Sequence, residues 1–216
     1  MSPWVIRMST EPGSSGRVRK GISLAVKRAF DVASSSAVAL AVAPAFPLLA
    51  FCVKWRSRGP LFFTQERVGV DQRPFRMIKF RTMSQPPPGH DPTKWNVAEE
   101  SRISPLGRFL RDFGLDELPQ VINIIKGDMS VIGPRPPLPA QVEQYSDEQR
   151  KMFGMKPGVL SLAAIRGRRA IDMEKRIELH VEYVERWSLA LDIEILLKSL
   201  FVVLRRMNAD EKVDQP

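Results

Sequence analysis

The hydrophobic pattern is uneven along the chain. Val32–Val53 reads VASSSAVALAVAPAFPLLAFCV, twenty-two residues without a charge. A helix needs roughly 20 such residues to cross a bilayer. A buried core helix would usually show a polar face, which this run lacks. A secretory signal peptide is a second alternative, with AVA at Ala41–Ala43 as a small-residue cleavage site. Against it, Pro44 would follow the cut directly, and the charged segment ahead of the run is unusually long. Pro44 and Pro47, just past the middle, each remove a backbone donor and clash with the preceding turn, so a sharp kink is expected there. Both flanks are basic: Lys27 and Arg28 before, Lys54, Arg56 and Arg58 after. The positive-inside rule then puts both ends on the cytoplasmic side. A bent helical hairpin that enters one leaflet and returns satisfies both conditions. It leaves carbonyls near the kink that need partners. The pattern favours this re-entrant form over a spanning helix, and either over a soluble core.

The remaining pattern predicts an α/β domain. Residues 1–20, rich in Ser, Gly, Pro and Arg without apolar periodicity, read as a disordered basic arm. Residues 21–58 read as the membrane hairpin, 59–207 as the folded domain and 208–216 as a tail. RSRGP at 56–60 signals a turn. LFFTQERVGVDQRPFRMIKFRTM predicts a strand, a turn near Gly69–Pro74 and a second strand. Period two puts Lys79 and Arg81 on one face of that second strand, as solvated edge charges or as an anion site. The proline-rich 84–94 reads as a surface loop. SPLGRFLRDFG predicts a helix with Pro105 in its first turn and Gly114 as its stop. PQVINIIKG predicts another, from Pro119 to Gly127. GPRPPLP at 133–139 is extended and stiff, fixing Arg135 between two prolines. From Asp172 to about Arg206 the pattern is helical, with Val181, Val184, Trp187 and Leu191 at three- and four-residue spacing. Its apolar end, IEILLKSLFVVLRR, suits core or a membrane-surface helix.

Charge sharpens this picture. The net charge is +9, and residues 1–58 hold nine Lys/Arg against Glu11 and Asp31. Nucleic acid and an anionic membrane surface both attract such a region. No recognition-helix or aromatic-basic signature is present, and the basic cluster abuts the apolar run, so the membrane is favoured and no nucleic acid is expected. One cysteine, Cys52, excludes an internal disulfide, and His90 and His180 stand apart from any cysteine cluster, against structural zinc.

The candidate chemistry is in LDELPQ at 115–120. Asp116 and Glu117 before a proline and a helix could be ordinary capping residues, which spacing alone favours. They could also hold one hard cation together with substrate phosphates, or attack phosphorus. Arg111 lies close in sequence and Arg135 is held rigidly, and both are suited to phosphate.

Several longer motifs together resemble the bacterial sugar transferase family, the monotopic polyprenyl-phosphate phosphoglycosyl transferases. They are KRAFD at 27–31, GPLFFTQERVG at 59–69, PFRMIKFRTM at 74–83 and LGRFLRDFGLDELPQVINIIKGDMSVIGPRPPLP at 106–139. YSDEQR, KPGV at 156–159 and VEYVERWSLALDIEILLKSL at 181–200 complete the run. The resemblance covers about Ile22 to Arg206. It implies a small α/β domain on a re-entrant helix, with amphipathic helices in the interface. It implies transfer of a sugar-1-phosphate from a UDP-sugar to a polyprenyl phosphate, with release of UMP. Asp116 would be the nucleophile, and Asp116 and Glu117 would hold Mg2+. Lys79, Arg111, Arg135 and Arg168 match family basic residues near the phosphates or nucleotide. Membrane lipids, homo-oligomerisation and the inner (cytoplasmic) membrane, with the catalytic domain facing the cytoplasm, complete the expectation. A catalytically silent scaffold of a polysaccharide assembly complex is the alternative. The family has Ser before the kink proline where this chain has Ala43. It has Gln and Asn where this chain has Ala164 and Arg166.

Overall fold

The structure, a computed structural model, describes residues 14–56, 59–84, 102–166 and 171–210, with 14–20, 56 and 203–210 as backbone only. Two helices open the chain: α1 (Ser14–Val42) and α2 (Phe46–Arg56). Helix α1 begins inside the segment expected to be irregular. The arms Gly21–Val42 and Phe46–Trp55 meet at 70°, at the turn that holds Pro44. Pro47 lies in the first turn of α2, where its missing N–H costs nothing. Two amides at the break are satisfied locally: Ala45 N–H donates to Val42 O at 3.0 Å and Phe46 N–H to Ala43 O at 3.3 Å.

Helix α1 has an inverted face. Lys27, Asp31 and Ser35, one helical repeat apart, are 6%, 2% and 2% exposed, whereas Ile22, Leu24, Val26, Phe30, Val38 and Leu40 point outward. The polar stripe docks on the globular unit. Lys27 Nζ donates to Ile132 O and to Asp192 Oδ2, both at 2.8 Å. Arg28 donates to the carbonyls of Ile124 and Ile125 at 2.6 and 2.9 Å. Asp31 Oδ1 accepts from Ser130 Oγ and Val131 N–H, both at 2.9 Å. Asp192 also accepts from Tyr183 Oη at 2.7 Å and Trp187 Nε1 at 3.1 Å. Removing one partner of a buried ion pair strands the other, at about 3–5 kcal/mol. Lys27→Met is accordingly expected to lower Tm in detergent sharply, and adding Asp192→Asn to recover part of the loss.

Strands β1 (Phe62–Val68) and β2 (Pro74–Phe80) form the predicted antiparallel hairpin, in register from Phe62↔Phe80 to Val68↔Pro74. Its turn places Asp71 and Gln72 at positive φ. Phe46 stacks on the end of this hairpin, 6.2 Å from Phe62 and 6.0 Å from Phe80 between ring centroids. Then come α3 (Pro105–Asp112), a 3₁₀ turn at Leu115–Glu117 and α4 (Gln120–Lys126). Ser104 Oγ caps α3 by accepting from Gly107 N–H at 2.9 Å. Gly114 (φ 70°) and Gly127 (φ 98°) end α3 and α4 in the left-handed conformation glycine tolerates.

Two short parallel strands, β3 (Ser130–Ile132) and β4 (Gly158–Leu160), were not signalled by the sequence. Three residues are too few to display a period. Helices α5 (Pro139–Val142) and α6 (Asp147–Arg150) lie between them, and α7 (Leu162–Arg166) follows. The C-terminal helical stretch is two helices, α8 (Met173–Arg186) and α9 (Leu189–Asp210). They break at Trp187, whose extended ψ of 133° cannot continue a helix. One core cluster joins Val68, Val142, Met152, Phe153, Ile177 and Val181; another joins Ile132, Leu162, Leu179, Tyr183 and Ile195.

Candidate active site

Three local structures bring the candidate residues together. Gly114 turns the chain out of α3 into the tight 3₁₀ turn that carries Asp116 and Glu117. Strand β2 brings Lys79 alongside. Its outer edge has no strand partner, and the buried side chain of Asn123 on α4 serves instead. Asn123 Oδ1 accepts from Ile78 N–H at 3.1 Å and its Nδ2 donates to Arg76 O at 2.8 Å. The third is the proline-rich strap 134–137, which presents Arg135.

Neither carboxylate is a helix cap. The first position of α4 is preceded by Pro119, with no side-chain cap bond. Glu117 Oε1 instead accepts from Lys79 Nζ at 2.6 Å and from Arg135 Nη2 at 3.0 Å. Burial pushes the Glu117 carboxyl up, but Arg135 and Lys79 outweigh it and hold it at about 2. Asp116, 9% exposed, behaves oppositely. Burial and the neighbouring Glu117 raise its pKa, against the fields of Lys79, Arg111 and Arg135. Burial, then Arg135, lowers the Lys79 ammonium against the pull of Glu117. Glu117 raises Arg135 above its ordinary value in spite of burial. Two adjacent carboxylates thus sit in different states, one clamped by cations and one desolvated.

Of the basic residues expected here, Lys79, Arg111 and Arg135 act on the pair. Arg111, at the end of α3, also donates to Met83 Sδ at 3.5 Å. Arg81 directly follows β2, its N–H donating to Leu61 O at 3.1 Å, and its buried guanidinium lies against Gly59. Arg168 lies outside the described residues. Two neighbours were not singled out from sequence. Arg67 feels both Glu117 and Arg135, and burial, then Arg135, lowers its pKa to about 10. His180, 3% exposed, is held neutral by burial and by Arg135 and Arg176, with its pKa lowered to about 4. Arg67 sits in a strand whose alternation already explains it, and His180 on a helix face otherwise apolar. A cavity of about 430 Å³ lies beside α3, lined by Ile103, Pro105, Arg108, Phe109, Asp112 and Phe113. It includes neither carboxylate.

Among the described residues, no group of three or more His, Cys, Asp or Glu side chains could cage a metal. An acidic pair alone still fits Mg2+, which commonly uses one or two carboxylates and takes its other oxygens from substrate phosphates and water. Glu117 meets both of its cations through one oxygen, Oε1.

Residues 22–206 match the profile of the family described as bacterial sugar transferase. The chain belongs to that family. It is therefore a transferase, and several relatives resemble it over most of its length. It is 37% identical over 180 residues to "Uncharacterized sugar transferase EpsL" of Bacillus subtilis, covering 83% of this chain and 87% of that one. It is 38% identical over 189 residues to the UDP-glucose:undecaprenyl-phosphate glucose-1-phosphate transferase of Klebsiella pneumoniae, covering 84% of this chain but 40% of that longer protein. It is 33% identical over 205 residues to "Exopolysaccharide production protein ExoY" of Rhizobium meliloti, covering 88% and 89%.

Proposed function

We propose that this family member transfers a sugar-1-phosphate from a UDP-sugar to a polyprenyl phosphate, releasing UMP, with Asp116 as the covalent nucleophile. The observation that carries the reading is the asymmetry of the acidic pair. Glu117 is held by Lys79 and Arg135, while Asp116 lies beside it with a raised pKa. The charge balance supports an anionic substrate. Arg67, Lys79, Arg111 and Arg135 all act on this one acidic pair, a cationic surround suited to a diphosphate.

In this reading an Asp116 carboxylate oxygen attacks the phosphorus that bears the sugar. The bond from that phosphorus to the bridging oxygen breaks, and UMP leaves with the oxygen. An acyl-phosphate ester to the sugar phosphate remains on Asp116. An oxygen of the polyprenyl phosphate then attacks the same phosphorus, the Asp116–phosphorus bond breaks, and the free carboxylate returns. The two phosphorylated substrates need not meet, so their mutual repulsion is avoided. Asp116 and Glu117 would hold Mg2+, which neutralises phosphate charge. Lys79 and Arg135, released in part from Glu117, receive the phosphate oxygens. Arg111 stands on the Asp116 side. UMP release from a panel of UDP-sugars, with polyprenyl phosphate and Mg2+ in detergent, tests the reading. No release from any donor would leave the scaffold alternative.

The same reading places the protein on the cytoplasmic membrane, catalytic unit inward. No single helix among the described residues is long and apolar enough to cross a membrane, but the bent α1–α2 pair passes on length and composition together. Both arms are tied to one globular unit, α1 through Lys27, Arg28 and Asp31 and α2 through Phe46. A re-entrant hairpin fits this, because a straight span would separate Lys27 from β1. The exposed stripe Ile193, Leu197, Leu200 and Phe201 on α9 suits a helix lying in the interface. In a Cys52→Ser background, Ser15→Cys and Pro60→Cys are expected to react with an impermeant thiol reagent from the same side. Labelling from opposite sides would mean that the hairpin spans.

A further inference from the structure

The strap at 134–137 poses a backbone problem. Pro134, Pro136 and Pro137 have no N–H, so Arg135 carries the only amide donor of the four residues. Such a segment cannot be held by a ladder and must be pinned through its carbonyls. Each proline carbonyl is pinned. Pro134 O accepts from Gly158 N–H at 2.9 Å and Pro137 O from Val68 N–H at 3.1 Å. Upstream, Gly133 and Gly158 approach so closely that a Cβ on either would collide with the other's backbone segment. The third pin is a side chain: Arg67 Nη1 donates to Pro136 O at 3.0 Å, and its Nη2 to Gln65 Oε1 at 2.7 Å.

Arg67 is an unusual choice for this duty. Its guanidinium is largely desolvated, its Nε is buried without a partner, and both acceptors found for it are neutral. A charged group in such a setting is costly to keep. The carbonyl it grips belongs to the residue directly after Arg135.

We infer that Arg67 is a positioning residue: it fixes the strap so that Arg135 points at Glu117 and at the donor diphosphate. It acts through hydrogen bonds to two acceptors held apart, Gln65 and Pro136. The inference rests on the proposed function for its kinetic part only. A lysine keeps the charge but offers one ammonium in place of the guanidinium fork, so Arg67→Lys is expected to behave like Arg67→Met.

A double-mutant cycle with Arg135→Ala tests this in the detergent-purified full chain, read as UMP release. Arg67→Met and Arg67→Lys should each lower kcat by about 10–100-fold, the scale of a positioning loss, with a smaller change in KM. In the Arg135→Ala background the same changes should cost less than about 3-fold, because the group being positioned is gone. Equal losses in both backgrounds, or full rescue by lysine, would overturn the inference. Amide exchange needs no turnover: Arg67→Met should speed exchange at Gly133, Arg135 and Leu138 and leave β3 unchanged. Unchanged exchange there would also overturn it. A wild-type protein that releases no UMP would count against the proposed function, and the exchange result would still decide the role of Arg67.

Discussion

Replacing Asp116 by asparagine is expected to abolish turnover and to make the protein more stable at neutral pH. The amide cannot form the acyl-phosphate, so the loss should be at least about 10⁴-fold, as for other removed nucleophiles. The stability change follows from the direction of the pKa. Burial and Glu117 raise the Asp116 pKa above its ordinary value of 3.8. Its favourable contribution is therefore present below about 3.8, where the folded and unfolded chains both carry the acid. It is lost as pH rises through the folded value, because a desolvated carboxylate is then ionised beside another. Asp116→Asn removes that penalty. Its gain in Tm should be largest near neutrality and vanish on acidification. A variant that lost both activity and stability at pH 7 would mean that Asp116 is structural.

Glu117→Gln should show the reverse pattern. The Glu117 pKa is depressed from 4.5 to about 2, so its contribution to stability is present above 4.5 and is lost as pH falls through about 2. The depression corresponds to something on the order of 3 kcal/mol at neutral pH. Glutamine leaves Lys79 and Arg135 without their anion, and Tm at pH 7 should drop. Activity should fall about 10²–10³-fold, the scale of a lost electrostatic contact in a dry site. Lys79 in the variant should gain reactivity toward amine reagents at neutral pH, since Glu117 no longer raises its pKa. Unchanged stability across the acid range would contradict the clamped geometry. The two neighbouring acids thus have opposite thermal signatures, and one melting series against pH distinguishes them.

The sequence carried these two residues but not their difference. Adjacent carboxylates before a proline are compatible with capping, with a metal and with a nucleophile. Only the placement of Lys79 and Arg135 on one oxygen of Glu117 excludes capping. Strand spacing put Arg81 on the face of Lys79; its backbone continues the pairing to Leu61, and its guanidinium lies against Gly59. Asn123 and Arg67 could not be found by pattern. Each acts through backbone groups of segments distant in sequence, and neither disturbs the period of its own element. The charged motif at Lys27–Asp31 was legible as a membrane flank. In the fold it is a docking stripe, with Lys27 on Asp192 and Asp31 on β3. The local signals were strong where chain chemistry is local: Ser104, Pro105, Gly114, Gly127 and the β1–β2 hairpin all stand where the sequence placed them. The break at Trp187 was hidden because the apolar spacing runs through it. Trp187 and Tyr183 both bond Asp192 across that break.

The central claim is that a sugar phosphate rides briefly on one aspartate. Full-length protein in detergent, mixed with an accepted UDP-sugar and Mg2+ but no polyprenyl phosphate, should be quenched within its first turnover. Peptide mass spectrometry should then find the mass of one sugar phosphate on Asp116, and the adduct should disappear when polyprenyl phosphate is added. An adduct on any other side chain, or UMP released in stoichiometric burst with Asp116 unmodified, would contradict the account.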